Sequence, residues 1–402
     1  MDITILPGTL SGSIAAIPSK SAAHRALICA ALAEGGTKIY CPSLSKDIEA
    51  TADCLRALGA DIEYRQGSFF VRPIERAPRS AMLNCGESGS TLRFLLPVVC
   101  ALGCDARIKM EGRLPRRPLS PLWEELERHG ALLSRPEEDV IAVSGQLCCG
   151  EYRIRADISS QFVSGLLFAL PLLEGDSVLE LEGNIESIGY IRMTERVQRP
   201  FGLELPFDGR RYEIAGSAAC RSPGSIDVEG DWSNAAFWLT ASVLSGETIE
   251  VTGLDDNSAQ GDRAVIEALS RIRCGDAVID AKDIPDLVPV LAVAAAGSVG
   301  RTEFINAGRL RIKESDRIAS VCRMLRALGG RCEELAEGLI IDGSGKLRGG
   351  SVDGENDHRI VMSAAVAAII CDEPVTVLGA QASAKSYPGF FDDYRTLGGK
   401  TL

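Results

Sequence analysis

The sequence predicts an α/β protein of two domains, each built from three repeats of a βαβαββ unit. Six times an extended apolar stretch runs into a polar turn and then into a helix of mostly small apolar residues. A second, amphipathic helix type alternates with the first, and strand-like runs separate the helices. The pattern returns at intervals of roughly seventy residues, longer than ordinary solenoid periods, so each repeat is expected to be a small subdomain.

The six small-residue helices are hydrophobic on nearly all sides, which predicts that they lie inside with the sheets outside them. Each polar turn leaves free N–H groups and the positive end of a helix dipole at a helix N-terminus. Several such ends brought together would form an anion site. The predicted helices are Ala22–Ala33, Thr91–Leu102, Phe162–Leu173, Ala235–Leu244, Leu287–Ala296 and Ile360–Cys371.

The amphipathic helices are predicted from a 3.6-residue apolar period, and most of them stop at a glycine in the position after the helix. They are Asp47–Gly59, Leu119–Gly130, Thr194–Gly202, Asp262–Ser270, Asp316–Gly329 and Phe391–Gly398. The strand-like runs between helices include Val178–Leu181, Thr248–Val251, Thr302–Ile305 and Pro374–Leu378.

The length of 402 residues fits two domains. We place hinges near Pro18 and Gly224, which gives an N-terminal domain of residues 18–224 and a C-terminal domain of residues 1–17 and 225–402. The first strand, Ile3–Leu6, is then available to complete the C-terminal domain. The two domains are expected to be inside-out α/β barrels joined by a hinge.

The composition excludes several classes of function. A net charge of -12 argues against a nucleic-acid-binding or membrane-binding surface, although a local basic pocket can still bind a small anion. The chain is 46% apolar with a mean hydropathy of +0.08, which allows a large core, yet its longest apolar run is too short to span a bilayer.

The cysteines and the N-terminus indicate a cytoplasmic protein. The 13 cysteines include no Cys-x-x-Cys pair, which is typical of reduced thiols, and with 3 histidines a zinc site is not expected. The start of the chain has no basic segment of the kind that opens a signal peptide.

Cations stand in or beside the polar turns. Lys20 lies at the first turn and Arg25 about one helical turn further on, where the alternative is a solvated turn. Arg113, Arg116 and Arg117 share a proline-stiffened loop, and arginine binds phosphate or carboxylate bidentately. The alternative for this loop is a charged surface segment.

The densest ionic segment runs from Arg309 to Arg317. Lys313 and Arg317 share a helix face if the helix starts at Glu314 or Ser315, and Glu314 among cations is a candidate acid or base. A surface ion-pair network is the alternative. Asp286 opens an apolar helix, where it is either a catalytic carboxylate or a helix cap.

Three further segments fit an anion site. His358 and Arg359 follow Asp357 at the start of the sixth buried helix, where cations oppose the helix dipole unless an anion is bound. Lys385 is an isolated cation in a loop of small residues. The turn Ser159-Ser160-Gln161 offers hydroxyls and an amide to a phosphate and to ring hydroxyls.

These strings, in this order, resemble the 5-enolpyruvylshikimate-3-phosphate (EPSP) synthase family over essentially the whole chain. The ordered set is far more specific than any one member. The matching segments are Lys20-Ser21, Gly89, Arg117, Ser159-Ser160-Gln161, Asn257-Ser258-Ala259-Gln260-Gly261-Asp262, Asp286, Lys313-Glu314-Ser315-Asp316-Arg317, Asp357-His358-Arg359 and Lys385.

The resemblance implies transfer of the carboxyvinyl group of phosphoenolpyruvate (PEP) to the 5-hydroxyl of shikimate 3-phosphate, with release of phosphate. It implies that Asp286 takes the hydroxyl proton and that Glu314 protonates the PEP methylene carbon and later helps to deprotonate it. Lys20, Lys313 and His358 would support them. No metal or organic cofactor is implied, and the active site is expected in a cleft between two domains that close on the substrates.

The binding residues also follow from the resemblance. The N-terminal domain would bind mainly shikimate 3-phosphate, and the C-terminal domain would carry the PEP side with the acid and base. Those for shikimate 3-phosphate are Ser21, Arg25, Ser159, Ser160, Gln161, Ser187, Asp286 and Lys313. Those for PEP are Lys20, Gly89, Arg117, Gln161, Arg317, Arg359 and Lys385.

Three positions depart from the family pattern. Glu87 stands where asparagine is common, Ser187-Ile188-Gly189-Tyr190 lacks a common Lys-Pro, and Arg309 replaces a frequent asparagine. A carboxylate at Glu87 must point away from an anionic substrate or pair with a cation. These departures bear on substrate binding rather than on the reaction.

Alternative functions are discriminated by single features. UDP-N-acetylglucosamine 1-carboxyvinyltransferase usually carries a reactive cysteine in the loop that here is Arg113–Pro118, which has none. An RNA 3′-phosphate cyclase would need a basic surface. A non-catalytic phosphate-binding protein would not need Asp286 and Glu314 among its cations. We expect a cytoplasmic monomer with no nucleic-acid or membrane partner.

Overall fold

All six predicted small-residue helices form in the computed structural model, which describes residues 1–402. The amphipathic helices alternate with them as predicted. In chain order the helices are α1 (Lys20–Leu32), α2 (Lys46–Ala57), α3 (Gly89–Leu102), α4 (Leu122–Arg128), α5 (Ser160–Ala169), α6 (Ile188–Gln198), α7 (Trp232–Ser245), α8 (Val265–Arg273), α9 (Val288–Ala296), α10 (Arg317–Ala327), α11 (His358–Ala367) and α12 (Phe390–Thr396).

Short strands separate the helices, including all four runs singled out from the sequence. In chain order they are β1 (Ile3–Leu6), β2 (Gly12–Ala15), β3 (Thr37–Tyr40), β4 (Asp61–Arg65), β5 (Ser68–Arg72), β6 (Ser80–Asn84), β7 (Asp105–Lys109), β8 (Ala131–Glu137), β9 (Val140–Gly145), β10 (Glu151–Arg155), β11 (Ser177–Glu182), β12 (Arg211–Ile214), β13 (Ser225–Asp227), β14 (Ile249–Thr252), β15 (Ala277–Asp280), β16 (Val299–Ile305), β17 (Arg331–Leu335), β18 (Gly338–Ser344), β19 (Gly350–Asp353), β20 (Val375–Leu378) and β21 (Lys400–Thr401).

Two units divide the chain. The N-terminal unit is Pro18–Val228, and the C-terminal unit combines Met1–Ile17 with Glu229–Leu402. The boundary therefore follows Val228 rather than Gly224. The reason is β13, which pairs in parallel with β3 and so belongs to the N-terminal unit.

The N-terminal unit contains three sheets, and along the chain the strands of each alternate with one small-residue helix and one amphipathic helix. Their strand orders are β13-β3-β5-β4, β6-β7-β9-β8 and β10-β11-β12. Of the three repeats in this unit, only the middle one, from β6 to β9, follows the full βαβαββ order along the chain. In the first repeat β13 supplies the parallel edge strand from the end of the unit, and the third repeat has one strand fewer.

The C-terminal unit contains sheets of order β15-β16-β18-β17 and β19-β20-β1-β21, and the pair β14-β2. Strand β1 pairs antiparallel with β20 and β21, so Ile3–Leu6 completes this unit as predicted. The protein is thus a mixed α/β protein, as expected from the alternating pattern. The description of each domain as an inside-out barrel stays a prediction.

Each unit has its own hydrophobic core, centred on the small-residue helices. Every residue of α9 and of α11 is buried, since neither helix has a polar face to present to water. In the N-terminal unit α3 packs against α5. The glycines that end the amphipathic helices at positions 59, 130, 202, 329 and 398 all have a positive φ, which confirms their stop role.

Several predicted helix ends were wrong, for identifiable reasons. Helices α1, α3, α5 and α11 start two residues early and α7 starts three residues early, because the polar turn residues themselves become the first helical residues. Helices α5 and α11 end early, since Leu170–Leu172 and Ala368–Ile370 tighten into 3₁₀ turns. Helix α6 starts at Ile188 rather than Thr194, directly after Ser187, whose φ of 54° lies in the left-handed region.

Candidate active site

Three helix N-termini of the N-terminal unit carry sequence-predicted residues. Each begins after a serine that caps it: Ser19 Oγ accepts from Ala22 N, Ser88 Oγ from Thr91 N and Ser159 Oγ from Gln161 N. The caps leave other N–H groups of the first turn for a ligand. Lys20, Gly89 and Ser160 are the first residues of α1, α3 and α5.

Lys20 is an ion-paired and mostly buried cation. Its Nζ donates to Asp47 Oδ2 at 2.8 Å, and the two side chains are 18% and 16% exposed. The alternative of a solvated turn is therefore wrong. Asp47, which sequence reasoning did not select, holds the ammonium group in place at the start of α1.

Arg25 is a buried cation that donates four hydrogen bonds within this unit. Its Nε donates to Thr194 Oγ1 at 2.8 Å, its Nη1 to Ser21 O at 2.7 Å, and its Nη2 to Tyr190 O at 2.8 Å. Nη2 also lies 3.3 Å from Ser164 Oγ. Burial lowers the pKa of Arg25 to about 10, so it stays charged at neutral pH.

Arg25 therefore ties together the segments that carry the predicted residues for shikimate 3-phosphate. Ser21 and Tyr190 supply carbonyl oxygens, and Ser187 lies buried at the start of the same helix as Tyr190. Sequence reasoning missed Ser164 and Thr194. A hydroxyl on an otherwise apolar buried face was the available signal for both.

A second group of side chains surrounds Gly89. A Cβ atom at this glycine would lie 2.6 Å from Arg93 Nη1 and 2.9 Å from Arg117 Nη1. Arg93 Nη1 donates to Gln161 Oε1 at 3.1 Å, and Gln161 Nε2 donates to Ser90 Oγ at 2.9 Å. Helices α3 and α5 are thus linked at their N-terminal ends by an arginine and an amide.

Arg93 was missed by sequence reasoning, although it could have been found. It is 3% exposed, and the other residues of its helix are almost all buried. A buried helix rarely carries an arginine without a partner, and the same reasoning selected Arg25. Its Nη2 donates to Pro118 O at 3.1 Å and so fixes the end of the loop Arg113–Pro118, which we call the arginine loop.

The arginine loop divides into two parts. Arg113 and Arg116 are exposed, and Arg116 pairs with Glu138, so the surface-loop interpretation applies to these two. Arg117 alone turns toward Gly89. Glu87, the departure from the family pattern, packs beside Gly112, where a Cβ would lie too close to its carboxylate.

In the C-terminal unit, Arg317 joins three carboxylates. It is 1% exposed, and its Nη1 donates to Asp286 Oδ1 at 2.7 Å. Its Nη2 donates to Glu314 Oε2 at 2.7 Å and its Nε to Asp357 Oδ2 at 2.8 Å. These three carboxylates raise the pKa of Arg317 against the effect of burial.

Asp286 is not a helix cap. It lies in the 3₁₀ turn Pro285–Leu287 that precedes α9, and the cap positions of this turn and of α9 are Ile284 and Leu287. Burial raises its pKa, but Lys313, Arg317 and Arg359 outweigh burial and hold the pKa well below its usual value. Lys313 Nζ lies 3.5 Å from Asp286 Oδ1, and burial lowers the pKa of this lysine.

The helix that follows this ionic segment starts later than predicted. Asp316, not Glu314 or Ser315, caps α10 by accepting from Ala319 N at 3.2 Å. Lys313 therefore precedes the helix, so it does not share a helix face with Arg317. Both side chains instead contact the carboxylate of Asp286. The surface-network alternative holds for Arg311, which pairs with Asp316 and Glu334.

The start of α11 carries the other predicted cations of this unit. Asp357 caps the helix by accepting from Arg359 N at 2.9 Å, and buried His358 lies 3.9 Å from the same carboxylate. Lys385 Nζ donates to Asn356 O at 2.5 Å, so it is held against the turn before the helix. It lies in the 3₁₀ helix Ala380–Lys385 rather than in a loop.

Arg359 binds a residue that sequence reasoning did not select. Its Nη1 donates to Ser233 O at 2.9 Å and its Nη2 to Ser233 Oγ at 2.6 Å. Ser233 also forms a hydrogen bond with buried Asp262, whose pKa is raised to about 6 by burial and by the charge of Asp286.

The fold contains no metal-binding cluster, no disulfide and no membrane-spanning helix. No group of three or more His, Cys, Asp and Glu side chains is arranged to hold a metal ion. All 13 cysteines carry free thiols. No helix is both long and apolar enough to cross a membrane.

Comparison with known proteins decides the family. The family model described as EPSP synthase (3-phosphoshikimate 1-carboxyvinyltransferase) matches residues 6–394. The chain belongs to the EPSP synthase family. A member from Clostridium botulinum is 41% identical over 421 residues, which cover 98% of this chain and 97% of the relative. A member from Clostridium acetobutylicum is 40% identical over 420 residues, covering 99% and 97%.

Solved structures agree with the EPSP synthase assignment. The EPSP synthase of Acinetobacter baumannii superimposes with a TM-score of 0.82 at 26% identity, covering 100% of this chain and 99% of that one. The enolpyruvyl transferase NikO from Streptomyces tendae, at 19% identity and a TM-score of 0.79, shares the fold. The family match does not favour a UDP-N-acetylglucosamine transferase.

Proposed function

We propose that this protein transfers the carboxyvinyl group of PEP to the 5-hydroxyl of shikimate 3-phosphate, giving 5-enolpyruvylshikimate 3-phosphate and phosphate. This reaction belongs to the shikimate pathway of aromatic amino-acid biosynthesis. The observation that carries the proposal is the pairing of Asp286 and Glu314 with one buried guanidinium, that of Arg317, in a chain that matches the family throughout.

The reaction needs one group that takes a proton and one that gives and removes a proton. The hydroxyl oxygen adds to C2 of PEP while C3 gains a proton, and the adduct then loses phosphate and a C3 proton. We assign the hydroxyl proton to Asp286, whose lowered pKa keeps it ionised and able to accept a hydrogen bond. We assign the C3 proton to Glu314.

The acid and base are supported by neighbouring cations. Lys313 lies beside Asp286, and the positive charge of Arg317 is shared by both carboxylates. His358 is buried next to Asp357, which orients Arg317. Cations fixed in place can stabilise charge that develops on PEP without reorganising during the reaction.

The N-terminal unit supplies the site that we propose for shikimate 3-phosphate. Arg25 has five N–H groups, and four hydrogen bonds to protein acceptors leave one Nη1 hydrogen for a phosphate oxygen. The hydroxyls and amide of the α5 turn are suited to the phosphate and ring hydroxyls. The full proposed set is Ser21, Arg25, Ser159, Ser160, Gln161, Ser187, Asp286 and Lys313.

For PEP we propose a set of cations drawn from both units. Gly89 belongs to this set because the absence of a side chain lets Arg93 and Arg117 approach the start of α3. Gln161 belongs to it because its Oε1 accepts from Arg93 Nη1 at 3.1 Å. The full set is Lys20, Gly89, Arg117, Gln161, Arg317, Arg359 and Lys385. That residues of the two units act on the same pair of substrates is part of the proposal, as are a monomeric state and a cytoplasmic location.

Phosphate release from PEP tests the proposal. Purified protein with PEP and shikimate 3-phosphate should release phosphate continuously, whereas PEP with UDP-N-acetylglucosamine, or PEP alone, should release none. Release with the nucleotide sugar but not with shikimate 3-phosphate would contradict the proposed acceptor. Release without either acceptor would indicate a phosphatase.

A further inference from the structure

The segment from Asn257 to Asp262 has the strongest unexplained connection to the candidate site. It is one of the strings that matched the family pattern, yet none of its residues was given a role. In the structure Gln260 and Asp262 are buried, with 6% and 3% of each residue exposed. Both reach the start of α7, where Ser233 contacts Arg359.

Gln260 fixes the backbone just before and at the start of α7. Its Oε1 accepts from Trp232 N at 3.0 Å, and its Nε2 donates to Gly230 O at 2.8 Å. The carboxylate of Asp231 accepts from Asn234 N at 2.7 Å as the helix cap. The backbone that carries Ser233 is therefore held from both sides, and the hydroxyl of Ser233 is left for other partners.

The direction of each hydrogen bond at Ser233 follows from the donor count. The guanidinium of Arg359 can only donate, so Ser233 Oγ accepts from Nη2 at 2.6 Å. The hydroxyl has one proton, and its other side-chain hydrogen bond is to Asp262. Asp262 therefore accepts from Ser233, and Ser233 accepts from Arg359.

The guanidinium of Arg359 is consequently anchored through both Nη atoms. Nη1 donates to the carbonyl oxygen of Ser233 and Nη2 to its hydroxyl. The Nε atom of Arg359 is buried and has no hydrogen-bond partner. A donor of this kind is costly unless a bound group accepts from it, and an anionic oxygen would do so.

We propose that Ser233 and Asp262 are positioning residues that hold the guanidinium of Arg359 in the orientation that binds PEP. The inference rests on the proposed contact between Arg359 and PEP. Arginine side chains have several rotatable bonds, and a guanidinium that is already fixed loses less conformational entropy when its anion binds. Ser233 supplies that fixation, and Asp262 fixes the hydroxyl of Ser233.

The test compares Michaelis constants for the two substrates. Ser233→Ala removes the hydroxyl bond to a charged group, so the KM for PEP should rise about tenfold or more. The KM for shikimate 3-phosphate should change less than about twofold. Ser233→Thr keeps a hydroxyl and should restore most of the affinity for PEP. Ser245→Ala, at the far end of α7, removes hydroxyl bonds to Leu10 O and Ser242 O and serves as the matched control.

Arg359→Ala separates failure of this inference from failure of the proposed PEP site. If Arg359→Ala leaves the KM for PEP unchanged, the assignment of Arg359 to PEP is wrong. If it raises that KM but Ser233→Ala does not, the positioning role is overturned. An equal rise of both KM values in Ser233→Ala would also overturn it, since that indicates general disruption. In the Arg359→Ala background, Ser233→Ala should have no further effect on the KM for PEP.

Discussion

Arg317 Nη1 lies 2.7 Å from Asp286 Oδ1, although the two residues are 31 positions apart, one just before α9 and the other at the start of α10. The same guanidinium lies 2.7 Å from Glu314 Oε2 through its other Nη atom. One buried cation thus fixes the two carboxylates that we assign as base and acid. Their separation is set by the planar fork of the arginine rather than by two independent loops.

Removing the charge of either carboxylate should remove turnover while leaving binding. Asp286→Asn and Glu314→Gln keep the size and hydrogen-bonding capacity of each side chain but cannot take up a proton. We expect kcat to fall about 10²–10⁴-fold in each, since general acid–base catalysis contributes that much. Steady-state kinetics and binding of shikimate 3-phosphate by calorimetry check this. Near-normal turnover of both variants would contradict the assignment.

A methyl group at Gly89 should weaken PEP binding selectively. In Gly89→Ala the new Cβ would lie 2.6 Å from Arg93 Nη1 and 2.9 Å from Arg117 Nη1, so both guanidinium groups must move. The KM for PEP should rise about tenfold or more, because small displacements at a binding site have large effects. Gly8→Ala is the matched control, since nothing lies within 4 Å of a Cβ at that position. A KM for PEP equal to that of the control would count against the site.

Replacing Arg25 by lysine should weaken shikimate 3-phosphate binding and lower stability. Lysine offers three donors where Arg25 makes four hydrogen bonds, so buried acceptors such as Thr194 Oγ1 lose their partner. We expect a loss of about 1–3 kcal/mol of stability and a KM for shikimate 3-phosphate about tenfold higher. Thermal melting and kinetics measure both. Arg56→Lys, at a half-exposed arginine of α2, should change neither.

The stability of the protein should carry a pH dependence that arises from Asp262. Burial and the charge of Asp286 raise its pKa from 3.8 to about 6, so the folded protein binds this proton more tightly than the unfolded chain. The contribution of Asp262 to stability is therefore greatest at low pH and is lost as the pH rises through about 6. Asp262→Asn does not ionise. The melting temperature of the wild type, relative to this variant, should fall between pH 4.5 and 7.5, and a constant difference would contradict the shift.

The helices that position the site could be predicted from the sequence because their physics is local. A run of small apolar residues after a polar turn has no face that tolerates water, and α9 and α11 are buried throughout. Cations at such turns, like Lys20 and Arg359, stand out for the same reason. Helix starts were less predictable, since whether Glu314 or Asp316 caps α10 depends on which side chain reaches a backbone N–H.

The partners of the predicted cations could not be predicted, because they come from distant parts of the chain. Asp47 pairs with Lys20 from 27 positions away, and Ser233 binds Arg359 from 126 positions away. Neither partner has a local pattern that distinguishes it from an ordinary surface aspartate or helix-start serine. Arg93 is different, since a lone arginine on a buried helix was visible in the sequence and was passed over.

Deuterium incorporation tests the central claim most directly. With PEP and shikimate 3-phosphate in deuterated water, the wild-type protein should form a product that carries deuterium in its vinyl methylene group, because C3 is protonated and then deprotonated. Glu314→Gln should bind both substrates and incorporate none. Product that forms at the normal rate without deuterium, or incorporation that persists in Glu314→Gln, would contradict the account.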